Sequence, residues 1–215
     1  RSSPAVVDGV VYVGSDDGRV YAFGPPISYE TVDWWPMFHH DPTHQGYSLS
    51  TAPKTNNTLW IYATGGAVRS SPAVVDGILY IGSNDGNVYA LDASTGTQIW
   101  NATTGGYVES SPAVANDIVY VGSDDNKTYC LDAATGAYVW SYTTGGNVRS
   151  SAAVASGVVY IGSDDCKVYA FGSPLSYKAV DWWPMYHHDP THQGYSLSAA
   201  PKTNKILWNY TTGGS

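Results

Sequence analysis

The sequence predicts an all-β protein: a β-propeller of four-stranded antiparallel blades, with four blade units in its 215 residues. Three observations carry that expectation. A string that opens R-S-S-P-A-V-V-D-G-V-V-Y-V-G-S-D-D-G at Arg1 recurs, modified, at Arg69, Glu109 and Arg149, spaced by 68, 40 and 40 residues. A 40-residue period of short strands and turns has the length of a propeller blade. Composition agrees: 18 tyrosines, 8 tryptophans and 23 glycines against 13% charged residues describe strands and tight turns rather than helices.

The strands can be read along the third unit. Val108 to Val114 is the first, followed by a polar break at Ala115-Asn116-Asp117. Ile118 to Gly122 is the second, an apolar run suited to burial on both faces. Thr128 to Leu131 and Tyr138 to Tyr142 are the third and fourth, after a turn at Ser123 to Lys127. Asp8-Gly9, Asp17-Gly18, Asp76-Gly77 and Asp85-Gly86 sit at hairpin positions, where Gly, Asn and Asp supply positive φ at low cost. One such sheet cannot bury both of its faces, so the units must stack on one another.

Tryptophan marks the stacking contact. Trp60, Trp100, Trp140 and Trp208 each precede a T-G-G turn. Burying an indole removes about 150–250 Å² from water, an upper value of about 4–6 kcal/mol. Pure packing therefore accounts for all four.

The run from Ala90 to Trp100, A-L-D-A-S-T-G-T-Q-I-W, resembles the tryptophan-docking motif A-x-D-x-x-T-G-x-x-x-W of quinoprotein-type propellers. Cys130 to Trp140 repeats it with Cys in the Ala place. The S-S-P-A-V units are similar to PQQ-like repeats, the family that includes outer-membrane assembly lipoproteins and archaeal surface propellers. This resemblance covers essentially the whole chain and implies a propeller, but no particular activity.

Units one and four carry a long segment in place of the short T-G turn, over about 24–59 and 172–207. Each contains D-W-W-P-M-[FY]-H-H-D-P-T-H-Q-G-Y-S-L-S, at Asp33 to Ser50 and Asp181 to Ser198. Comparing residues 1–67 with 149–215 gives 17 differences, and only Phe38 against Tyr186 falls inside this segment. That uneven distribution marks a candidate interaction segment: Trp34, Trp35, His39, His40, Asp41 and His44, with their counterparts Trp182, Trp183, His187, His188, Asp189 and His192. Prolines at 36, 42 and 53 exclude helix through most of it. By resemblance it is expected to wrap the propeller and deliver the Trp60 or Trp208 strand to its blade. The histidines and Asp41 are ligand types for Zn²⁺ or Cu²⁺, but adjacent histidines before Asp-Pro are not a standard ligand spacing, and no metal is assigned.

A net charge of −8 argues against a nucleic-acid partner. No apolar run has the length of a membrane span, and no signal peptide is visible. N-x-T sequons at Asn56, Asn101, Asn126 and Asn209 point to an extracellular or cell-surface setting. Cys130 and Cys166 replace small residues of the repeat, and their spacing leaves a disulfide open. Arg1 is not a natural start, so a mature, processed or excerpted chain is expected. The last residues run on into the first in repeat register, which suits a closed four-blade ring, two chains pairing into eight blades, or part of a longer array.

No enzyme, catalytic residue or cofactor is expected. A quinoprotein dehydrogenase is the first alternative; the resemblance implies for it an Asp base, Glu and Asn calcium ligands and often adjacent cysteines over the axis. Here no cysteines are adjacent, and Glu occurs only at Glu30 and Glu109. A glycan-binding propeller is the second, but Tyr12, Tyr80, Tyr120 and Tyr160 recur at fixed strand positions and fit packing better. The expected role is a structural or protein-interaction scaffold, self-associating or continuing as a longer array. Strand exchange through the long segments would link units into fibres.

Overall fold

The computed structural model describes residues 1–25, 53, 56–155, 157–172 and 203–212. Among these there is no helix, and all strands fall into four antiparallel sheets of four. Blade 1 is β1 (Ala5–Val7), β2 (Val10–Gly14), β3 (Arg19–Phe23) and β4 (Thr58–Ala63). Blade 2 is β5 (Ala73–Val75), β6 (Ile78–Gly82), β7 (Asn87–Asp92) and β8 (Gln98–Thr103). Blade 3 is β9 (Ala113–Ala115), β10 (Ile118–Gly122), β11 (Lys127–Asp132) and β12 (Tyr138–Thr143). Blade 4 is β13 (Ala153–Ala155), β14 (Val158–Ser163), β15 (Lys167–Gly172) and β16 (Ile206–Thr211). Each sheet runs in simple sequence order.

The second, third and fourth strands of a blade lie where the apolar pattern puts them. The first is shorter than expected: Val108 to Pro112 is outside β9. Its polar groups bond elsewhere. Val108 N–H donates to Ser83 O at 3.1 Å, Ser110 Oγ accepts from Gly122 N–H at 3.1 Å, and Pro112 has no N–H to give. The hairpin turns are of two kinds. Asp8-Gly9, Asp76-Gly77 and Asn116-Asp117 have positive φ at both residues, the type I′ signature. In the second hairpins only Gly18, Gly86, Asn126 and Cys166 do, so Asp17 and Asp85 keep ordinary backbone there.

The long segments leave and re-enter their own blades. β4 pairs with β3 and β16 with β15, and Gly24 and Gly172 N–H donate to the carbonyls of Asn57 and Lys205 at the two junctions. In this chain the strand after each segment thus pairs at the edge that the segment left, and all four strands of blades 1 and 4 come from one chain.

The core lies between blades, not within them. One cluster joins Val10, Tyr12, Val20, Ala22 and Trp60 of blade 1 to Leu79, Ile81, Tyr89 and Leu91 of blade 2. A second joins Tyr80, Val88, Ala90 and Trp100 of blade 2 to Val119, Val121, Tyr129 and Leu131 of blade 3. The third joins Tyr120, Cys130 and Trp140 of blade 3 to Val159, Ile161, Tyr169 and Phe171 of blade 4. Alternation along each strand thus sends one set of side chains into the seam ahead and the other into the seam behind.

Candidate functional site

Each seam is built from the same parts. On the outermost strand a tryptophan faces a small residue across the ladder: Trp60 opposite Ala22, Trp100 opposite Ala90, Trp140 opposite Cys130 and Trp208 opposite Ala170. That small partner leaves the indole free to lean on the next blade. Trp60 Nε1–H donates to Ala93 O at 2.9 Å, and Trp100 Nε1–H to Ala133 O at 2.8 Å. The indoles cover Gly96 and Gly136 in the T-G turns, where a Cβ would lie within 2.7 Å of the ring. Blade 4 lacks that turn, and Trp140 packs on Phe171 at a centroid distance of 5.4 Å.

Trp208 departs from the set. Trp60, Trp100 and Trp140 are 9, 7 and 9% exposed, whereas Trp208 is 48% exposed beside Tyr160. Three of the four tryptophans that precede a T-G-G turn are therefore buried, and the fourth is not. Tyr12, Tyr80 and Tyr120 are buried, as packing requires, while Tyr160 is half-buried.

A carboxylate latches each seam on its outer side. Asp85 Oδ2 accepts from Gly65 N–H of the preceding blade at 2.7 Å and from Tyr89 Oη at 2.7 Å, while Oδ1 accepts from Asn87 N–H at 2.9 Å. Asp125 and Asp165 take the same bonds from Gly105 and Gly145, both at 2.9 Å. Burial alone would raise Asp85 and Asp165, but these hydrogen bonds outweigh it and hold both carboxyls below their ordinary value. Asp17 has the Tyr21 hydroxyl and Arg19 as partners, and the Tyr21 bond above all brings it down to about 2.

At the axis, the repeated Ser-Ser pair divides its work. Ser2, Ser70, Ser110 and Ser150 accept from Gly14, Gly82, Gly122 and Gly162 N–H of their own blades. Ser3, Ser71 and Ser111 N–H donate forward, to Ser71, Ser111 and Ser151 Oγ, at 2.8, 2.9 and 3.3 Å. Sequence reasoning missed this role, although Ser-Ser is unchanged in every unit.

A belt of charge surrounds the serines and lines a shallow depression of about 210 Å³ with Arg1, Arg69, Glu109 and Arg149. An arginine of one unit pairs with an aspartate of the unit before. Arg69 Nε meets Asp16 at 2.9 Å, and Arg149 Nη2 meets Asp124 at 2.9 Å. In the middle seam both partners change: Asn84 Nδ2 donates to Glu109 Oε1 at 3.3 Å. Glu109 also accepts from Arg69 at 2.8 Å and lies 3.9 Å from Arg149. Its partial burial would raise the carboxyl, but Arg69 and Asn84 hold it below its usual value. Glu109 therefore separates two guanidinium groups that would otherwise crowd the axis.

The long-segment residues Trp34, Trp35, His39, His40, Asp41 and His44, with Trp182, Trp183, His187, His188, Asp189 and His192, lie outside the described residues. Among the described residues no cluster of three or more His, Cys, Asp or Glu could hold a metal ion, and no helix is long and apolar enough to cross a membrane. Asn56, Asn101 and Asn209 are exposed, whereas Asn126 is half-buried in its turn. Cys130 is buried, Cys166 is exposed, and both are free.

A family model described as outer membrane protein assembly factor BamB matches residues 48–173. The chain belongs to this family of PQQ-like repeats. Comparison with curated proteins by sequence gave no match. Among solved structures, BamB from Moraxella catarrhalis superposes with a TM-score of 0.59 at 19% identity, over 98% of this chain and 48% of that one. Quinohemoprotein alcohol dehydrogenase ADHIIG from Pseudomonas putida HK5 gives 0.65 at 17% identity, over 98% of this chain and 34% of that one. The computationally designed Ika4 protein gives 0.59 at 16%, over 80% of this chain and 92% of its own. This chain thus spans about half the length of BamB and a third of that of the dehydrogenase, and these likenesses show the propeller fold.

Proposed function

We propose that this PQQ-like propeller is a non-enzymatic scaffold that works through protein contacts at the cell surface or outside the cell. The observation that carries the reading is the axial belt. Its carboxylates Asp16, Glu109, Asp124 and Asp164 are each bonded to an arginine of the chain, the first three across a seam and Asp164 within blade 4, so the groups a dehydrogenase would need free at the axis are already paired. A surface built from repeated seams, with large exposed side chains such as Tyr107, Tyr138 and Tyr210, suits broad contact rather than a small-molecule site. The match to the BamB family model supports the same direction. Exposed sequons at Asn56, Asn101 and Asn209 support the extracellular setting.

Dye-linked alcohol oxidation, with pyrroloquinoline quinone and Ca²⁺ added to the purified chain, tests the reading. No turnover is expected; cofactor-dependent turnover abolished by Glu109→Gln would overturn it. Glycosidase treatment of the native protein should lower its mass if the sequons are used.

A further inference from the structure

We infer that the axial depression binds a carboxylate, and that the partner of this propeller presents it on an acidic peptide segment. The inference rests on the scaffold reading and names the chemistry of that partner.

The two serines of each Ser-Ser pair differ in how they use their hydroxyl protons. A serine hydroxyl has one proton to give besides the lone pairs with which it accepts. The first serine gives it to a backbone carbonyl: Ser70 Oγ–H to Ser71 O at 3.3 Å, Ser110 Oγ–H to Ser150 O at 2.8 Å and Ser150 Oγ–H to Gly162 O at 3.0 Å. The second serine accepts an N–H from the preceding unit, and among the described residues Ser71, Ser111 and Ser151 have no acceptor for their own proton. All three line the depression. Ser71 and Ser111 are only 3% and 5% exposed, and hydroxyls so deeply buried are held in native proteins by hydrogen bonds. The depression is thus lined by a row of donors from three successive units. Ser71 and Ser111 lie at seams whose blades are all described, so the row does not depend on what meets blade 1 or blade 4.

The charge of the lining has the matching sign. It holds the guanidinium groups of Arg1, Arg69 and Arg149 against the carboxylate of Glu109, while the aspartates that pair with Arg69 and Arg149 are not among the lining residues. Arg69 gives Nε–H to Asp16 and Nη1–H to Glu109, and among the described residues its Nη2 donates to nothing. A guanidinium edge beside hydroxyl donors is the set from which a carboxylate accepts. The net charge of −8 on the whole chain does not reverse this. At physiological salt the screening length is about 8 Å, so distant carboxylates are damped while the lining acts at contact. Size and shape favour a peptide over a free ligand. A shallow depression of about 210 Å³ admits one side chain of a segment lying across it, where small-molecule sites enclose about 300–1,000 Å³.

The test is titration of the 215-residue chain with a fluorescein-labelled hexaglutamate peptide at physiological salt, read by fluorescence anisotropy, with hexaglutamine as the uncharged control. Wild type should bind hexaglutamate and not hexaglutamine. Arg69→Gln should weaken binding about tenfold, the loss of one charged hydrogen bond. Glu109→Gln should strengthen it, a gain that unfolding does not produce. Lys167→Gln makes the same change in net charge at an outer latch and should leave binding as it is, with circular dichroism checking the fold of each variant. No binding by wild type overturns the inference. So does an equal loss in Arg69→Gln and Lys167→Gln, which would mean diffuse attraction, and so does unchanged or weaker binding by Glu109→Gln. Inorganic sulfate that binds where the peptide does not would make this a site for free anions and overturn it as well. Alcohol oxidation by the chain would sink the scaffold reading while leaving these titrations unchanged.

Discussion

Gly96 and Gly77 form a matched pair for measuring what the tryptophan dock contributes. Both have positive φ, +72° and +74°, so an alanine at either costs about 1–2 kcal/mol in backbone strain. Their surroundings differ. A Cβ on Gly77 meets nothing within 4 Å, whereas on Gly96 it lies 2.6–2.9 Å from three carbons of the Trp60 ring. Overpacking of this kind adds about 1–3 kcal/mol. Gly77→Ala should therefore lose about 1–2 kcal/mol, and Gly96→Ala about 2–5 kcal/mol, in urea unfolding followed by circular dichroism. A double-mutant cycle isolates the contact. Trp60→Ala alone should cost about 3–5 kcal/mol, and once the indole is gone Gly96→Ala should cost no more than Gly77→Ala. Equal losses for the two glycine variants, or strict additivity of Gly96→Ala with Trp60→Ala, would refute the docking account.

The charge belt predicts that Glu109→Arg lowers stability by about 1 kcal/mol or less by crowding Arg69 and Arg149, and that Asn84→Asp on top recovers part of it, read by thermal melting at low salt. Acid should unfold the protein through the lowered carboxyls: Asp85 and Asp165 bind protons more weakly folded than unfolded, so their contribution is full above about pH 4. It is lost as pH falls through their folded values, and Asp85→Asn should flatten that part of the melting-temperature profile. Burial pushes the Cys130 thiol up to about 12 while Cys166 is exposed, so a thiol reagent should label one cysteine in the folded chain and both in urea.

Strands such as Ile118–Gly122 were legible because burial on both faces demands a continuous apolar run, and the Trp-to-Ala pairing was legible because the motif repeats. The first strand was not, since Val108 to Pro112 read as β-forming while its bonds run to neighbouring blades. The repeat alone gives Glu109 no role; only the position of Asn84 across the seam gives it a reason. The exposure of Trp208 was equally hidden, because a docking motif in one blade says nothing of whether another blade covers it.

That substitution in the middle seam also bears on how a chain of near-identical units finds its order. Three seams made of the same tryptophan, latch and serine contacts would let blade 1 stack on blade 3 almost as well as on blade 2. Asp16 would then face Glu109, carboxylate against carboxylate, where it now meets Arg69. Asn84 offered to Arg149 would give up the charged partner that Asp124 provides. Each pair is individually weak, because exposed ion pairs contribute little to stability. Their effect is on the difference between correct and shifted stacking, where repulsion and lost pairing add. The hydrophobic seams thus supply the cohesion and the axial charges select the register.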